Sequence, residues 1–189
     1  MLGTITGLMA GRVAEEIMFD DVTSGARSDF HRSTQIARLM VCKFGMSEEN
    51  LTKVLAHPLV TVGSDGNSLA PYGPLGEGSP HPRSYGTFPR VLGKFVREER
   101  VMPLETAIRK MTGMAADQFG ITGRGYLREG YHADIVVFDP DTVIDRAGWS
   151  NPHTYPVGIG IVLVNGGVVI RDGEHTGERP GMVIRHGQA

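Results

Sequence analysis

A single cysteine, Cys42, stands in a chain of 189 residues, so no internal disulfide can form and the chain fits a reducing, cytoplasmic setting. No apolar run approaches the roughly 20 residues that a membrane-spanning helix needs. The first ten residues, MLGTITGLMA, are apolar, but they carry no basic flank and run directly into GRVAEE, so no signal peptide is expected. Basic side chains are scattered, with short clusters such as 97–100, and the net charge of -2 gives no electrostatic argument for nucleic acid. No internal repeat or heptad pattern is present. Three motifs of hydrolytic chemistry are also missing: His-Glu-x-x-His, His-x-His and Gly-x-x-x-x-Gly-Lys-Ser/Thr. Gly63 directly precedes Ser64, so VGSDG lacks the spacing of a serine nucleophile elbow.

What remains has the composition of a globular protein, 40% hydrophobic and 21% charged, long enough for a real core. Leu2, Ile5, Leu8, Met9, Val13 and Ile17 recur at helical spacing and predict a first helix over about 3–18. Ser28 is placed to cap a second helix whose apolar face includes Phe30, Ile36, Met40 and Phe44, with Gly45 ending it. Ser47 is placed to cap a third, carrying Leu51, Val54 and Leu55. PLVTVG, 58–63, reads as a buried strand because β-branched residues fill a short run closed by glycine.

A Pro/Gly-rich loop follows and runs to Gly86. Two helices are expected after it, one over about 88–99 and one opening at Pro103, with Gly120 closing the helical region. The pattern then turns to β. ADIVVFD reads as a strand, and GIVLVNGGVVIRDG reads as a hairpin turning at Asn165-Gly166. The expected class is α+β.

Two blocks of motif carry chemistry. GRVAEE, VTSGARSD and STQIAR occur in order within 1–49, and together they resemble the peptidase domain of FtsH-type ATP-dependent zinc metalloproteases. That resemblance implies a zinc held by two histidines of a His-Glu-x-x-His helix and a later aspartate, and Asp29 matches the aspartate. The plain alternative for Asp29 is an acid in the first turn of a helix, favoured by the dipole. His31 and Cys42 read as ordinary helix residues.

From GMSEENLTKVLAHPLVTVGSDG onward, 45–189 resembles the C-terminal part of N-acyl-D-amino-acid deacylases, the D-aminoacylases of the amidohydrolase superfamily. HPRSYGTFPRVLGKFVREERVMPLETAIRKMT, GYHADIVVFDPDTVIDRA, NPHTYPVGI and VLVNGGVVIRDGEHTGERPG extend the resemblance to the end. It implies a (β/α)8 barrel with a small β-sandwich, a zinc cofactor, and an N-acyl-D-amino acid as substrate. Asp65 matches the catalytic aspartate at the end of the last barrel strand, which shuttles a proton from water to the leaving amine. Arg83 matches the arginine that grips the substrate carboxylate, a task for a planar two-pronged donor. Without the resemblance, Asp65 would read as a turn residue and Arg83 as a solvated loop residue.

These resemblances imply three segments: a helical peptidase-like piece at 1–45, the end of an amidohydrolase barrel at 46–123, and a C-terminal β-subdomain at 124–189. None of His57, His81, His132, His153, His175 and His186 falls where the resemblance would supply zinc ligands. The expectation is a metal-dependent amide hydrolase present as an incomplete C-terminal fragment, inactive by itself and prone to self-association. A zinc endopeptidase fragment and a non-catalytic chimeric reading frame are the alternatives.

Overall fold

The computed structural model describes residues 48–184 apart from Ser68. The first two predicted helices, with Asp29, His31 and Cys42, lie outside the described residues. The chain divides into two compact units, 1–53 and 54–189. Helix α1, Glu48–Ala56, begins in the first and ends in the second. Glu48 and Glu49 occupy its first turn, where the dipole favours acids, and Lys53 pairs with Glu49 one turn away at 2.5 Å.

The predicted strand at 58–63 does not form. His57 and Val60 close a turn instead, Val60 N–H donating to the His57 carbonyl at 3.1 Å. Val62 then makes one backbone bond, to the Lys110 carbonyl at 3.3 Å. β-branched residues favour extended backbone, but a strand also needs a neighbouring strand, and no neighbour pairs with this segment among the described residues. The ammonium of Lys110 substitutes for a ladder, donating to the carbonyl of His57 and to that of Val60, the latter at 2.9 Å.

Helix α2, Arg83–Arg90, starts earlier than predicted, and the long loop ends with it. Pro82 stands at the N-cap with φ -51, already helical, and Ser84 N–H bonds the His81 carbonyl at 3.0 Å. Pro89 lies inside the helix, not at its start. The chain continues without a break as a π-helix, Val91–Glu98, which buries Val91, Leu92, Gly93 and Phe95. A Cβ on Gly93 would stand 2.3 Å from Ile144 Cδ1, so this close approach requires glycine. Arg97 fixes the same contact by donating to the carbonyls of Pro140 and Val143 at 3.1 and 2.7 Å.

Pro103 is extended, with ψ 152, and α3 occupies Leu104–Met111. Thr112 breaks the run, α4 follows over Gly113–Phe119, and Gly120 ends it in the left-handed region at φ 62. Leu55, Val91, Phe95, Met102 and Ala107 form the apolar core, with Val62, Val96, Val101 and Met111 packed against it.

Four antiparallel strands make one sheet in the order β1-β2-β3-β4: Ile135–Phe138, Ile159–Val164, Gly167–Arg171 and Glu174–His175. The predicted turn is present, with Asn165 at φ 47 and Gly166 at φ 83, the two positive values that suit the twist of a tight hairpin. Its tip is tied down from three sides. Arg124, largely buried, donates to Asp134 and to Asn165 Oδ1, while Asn165 N–H donates to Asp134 at 2.8 Å and its side-chain amide to the Pro180 carbonyl at 2.6 Å. With helices packed on one another and the strands gathered in a separate sheet, the class is α+β.

Candidate active site

Ser64, Asp65 and Gly66 form a tight turn in which Asp65 is held at φ 48, an uncommon conformation that aspartate tolerates better than most residues. The Ser64 hydroxyl accepts the Gly66 N–H at 3.2 Å. Gly66 lets the turn lie against the start of α2, since a Cβ there would be 3.0 Å from Ser84 Cα.

That contact brings the two expected site residues together. Arg83 Nη2 stands 3.0 Å from Asp65 Oδ2, and Arg83 Nε donates to the Asp65 carbonyl at 3.3 Å. Both side chains keep access to solvent, 34% for Arg83 and 47% for Asp65, so an incoming anion can reach the guanidinium. Asp29, the third expected site residue, lies outside the described residues.

Behind Arg83 is a cavity of about 360 Å³, whose walls include His81, Arg83, Arg90, Asp145, Gly148 and Trp149. His81 accepts the Arg83 N–H on Nδ1 at 3.0 Å, which leaves the proton of the neutral ring on Nε2. Burial, and then the positive charge of Arg83, push the His81 pKa below its usual 6.5. Its ring meets Trp149 edge to face at 4.6 Å. Arg90 pairs with Asp145 at 3.2 Å, and the Asp145 side chain is only 9% exposed. Gly86 admits that carboxylate, because a Cβ there would lie 2.9 Å from Asp145 Cβ.

A second contact joins α2 to the 151–155 segment. Tyr85 donates its hydroxyl proton to His153 Nδ1 at 3.2 Å, and His153 Nε2 donates to the Gly78 carbonyl at 2.9 Å. One neutral tautomer satisfies both bonds. His81, Arg90, Asp145, Trp149, Tyr85 and His153 were not among the residues expected from sequence. The signal existed, since HPRSYG and NPHTY are both prominent blocks, but nothing in a linear pattern says that they meet.

Zinc does not fit the described residues by themselves. Among them, no three His, Cys, Asp or Glu side chains stand close enough to hold one ion. No step through a metal is therefore derived from this geometry. Among the described residues, no helix is long and apolar enough to cross a membrane.

Comparison with known proteins gives two separate matches. Residues 42–169 match the amidohydrolase family, and residues 1–59 match peptidase family M41. N-acyl-D-aspartate deacylase of Alcaligenes xylosoxydans xylosoxydans is 46% identical over 185 residues, 97% of this chain and 34% of that protein. The ATP-dependent zinc metalloprotease FtsH of Pseudothermotoga lettingae is 57% identical over 49 residues, 26% of this chain and 8% of that protein.

The crystal structure of a D-aminoacylase superposes with a TM-score of 0.68 at 44% identity, covering 74% of this chain and 28% of that one. N-acyl-D-glutamate deacylase from Bordetella bronchiseptica, solved with zinc and a phosphonate mimic of the tetrahedral intermediate, gives 0.63 at 47% identity with the same coverages. The chain thus spans about a third, or less, of the length of the deacylases it matches.

Proposed function

The chain belongs to the amidohydrolase family, and on that premise we propose that it carries the acid–base and substrate-gripping part of an N-acyl-D-amino-acid deacylase. The observation that carries this reading is the Asp65–Arg83 pair. Two residues separated by 17 others in sequence are held at 3.0 Å on an accessible face, and each matches the deacylase role expected of it.

In this reading the α-carboxylate of the substrate replaces Asp65 on Arg83, which gains a two-pronged anion, and Asp65 is released to act as base. Asp65 takes a proton from the attacking water as the water oxygen bonds the amide carbon. It then delivers that proton to the nitrogen as the C–N bond breaks, giving a free D-amino acid and the carboxylic acid. The zinc of the relatives would need ligands that the described residues do not supply.

Residues 46–123 are then the end of a barrel and 124–189 its C-terminal β-subdomain, which in this family is a sandwich. The first segment, 1–45, is a peptidase-like piece with Asp29 as candidate zinc ligand, a reading favoured by the match over 1–59. Charge balance and the single Cys42 support a small-molecule partner, not nucleic acid, and a reducing cytoplasmic setting. Val136 and Val137, half exposed on the outer strand β1, support self-association.

A hybrid tests the reading: the upstream two thirds of the Alcaligenes N-acyl-D-aspartate deacylase joined to 46–189 of this chain. Hydrolysis of N-acyl-D-amino acids by the zinc-loaded hybrid, lost in Asp65→Asn, is the expected result. A folded, zinc-loaded hybrid with no turnover, or with turnover indifferent to Asp65→Asn, would refute it.

A further inference from the structure

Arg83 has two neighbours of opposite sign, and they are not equivalent. Asp65 is half exposed and can be displaced, whereas Asp145, with 9% of its side chain accessible, is packed against Gly86 and engaged by Arg90. Of the two guanidiniums that face the cavity, Arg90 is therefore already committed and Arg83 can exchange its partner. His81, held neutral by burial and by Arg83, adds no cation near neutral pH. The remaining wall is aromatic: Trp149, 76% exposed at the cavity mouth, stands edge to face against the His81 ring. A large exposed indole at the rim of a cavity is a surface on which an apolar group can be desolvated. The volume, about 360 Å³, lies within the range of small-molecule pockets.

We propose that this cavity is the side-chain subsite of the deacylase site, that it takes a neutral apolar D-side chain against Trp149 and His81, and that it disfavours a second carboxylate because Arg90 is committed to Asp145. The inference rests on the reading of Arg83 given above and deepens it by naming the substrate class. A dicarboxylic substrate would place its second charge beside Asp145 with no exchangeable cation to meet it. An unpaired charge at such a place is costly, and a difference of about tenfold in affinity is expected.

Trp149 is the sole tryptophan of the chain, so its emission reports directly on this wall. The experiment titrates the full chain with N-acetyl-D-leucine and N-acetyl-D-aspartate. It follows Trp149 emission and, independently, ligand-observed saturation-transfer NMR. Arg83→Lys and Trp149→Ala variants are run in parallel, with circular dichroism confirming their fold.

The expected result is binding of both ligands that weakens in Arg83→Lys, a saturable emission change, and N-acetyl-D-leucine tighter by about tenfold. That preference should fall close to unity in Trp149→Ala, a change at an exposed position that spares the core. Arg83-dependent binding in which the aspartate derivative is equal or tighter, or in which emission does not change, overturns the subsite and leaves the Arg83 reading standing. No Arg83-dependent binding of either ligand overturns both.

Discussion

Arg83 meets Asp65 at two places, the carboxylate at 3.0 Å and the backbone carbonyl at 3.3 Å, so it fixes the conformation of the turn as well as its charge. The guanidinium plane is what permits this, since Nε and Nη2 project in a fixed fork. An ammonium at the same place would offer a point charge and lose one of the two contacts. In the hybrid deacylase, Arg83→Lys should therefore raise KM for an N-acyl-D-amino acid by roughly ten- to a hundredfold, with a smaller change in kcat. Steady-state kinetics decide it, and an unchanged KM would remove Arg83 from substrate binding.

Lys110 is almost inaccessible, and its charge is met by the carbonyls of His57 and Val60. Burial pushes its pKa below 10.5. Lys110→Met keeps the stem and removes the donor, which leaves the two carbonyls without that partner. We expect a loss of about 1–3 kcal/mol, read from denaturant unfolding. An equal or higher stability would show that the desolvation of the ammonium outweighs its bonds.

Acid should act first on the hairpin tip. Burial pushes the Asp134 carboxyl up, but the Asn165 N–H and the Arg124 guanidinium together outweigh it and hold the group below 3.8. A carboxyl with a lowered pKa stabilises the fold fully above its unfolded value of 3.8, and that contribution is lost as pH falls through the lower folded value. Asp134→Asn should reduce stability at pH 7 and flatten the dependence on pH below about 4. An acid-unfolding curve identical to that of the parent chain would contradict this.

Zinc affinity is the fourth expectation. The chain has neither His-x-His nor His-Glu-x-x-His, and among the described residues no three ligating side chains converge. Purified chain dialysed against a mild chelator should retain much less than one equivalent by elemental analysis. A full equivalent would contradict it, and the Asp65→Ala and Asp29→Ala variants would then locate the ligand.

Legibility from sequence followed the range of the forces. The Asn165-Gly166 hairpin and the Gly120 stop were readable because two adjacent residues set their own backbone angles. The strand at 58–63 was misread because propensity is local and pairing is not; Val60 and Val62 lacked a neighbour, and Lys110, fifty residues from Val60, took its place. Nothing in the sequence marks Lys110 as buried, since lysine ordinarily faces water. Pro89 hid the true start of α2 by resembling a helix opening. Asp65 and Arg83 were identified by resemblance, while their contact, and the cavity behind Arg83, depend on the turn packing against Ser84.

The π-helix at Val91–Glu98 sets the phase between the two ends of one continuous helical rod. It holds Val91, Leu92 and Phe95 in the interior while the earlier turns present Arg83 to Asp65. Removing one residue from that stretch would turn everything before it by roughly 100° relative to Phe95. Arg83 would then swing out of reach of Asp65 while the apolar face could still pack. A single deletion eight or more residues from Arg83 would thus disconnect the site without unfolding its support, so the spacing between Arg83 and Phe95 carries functional information that neither residue carries alone.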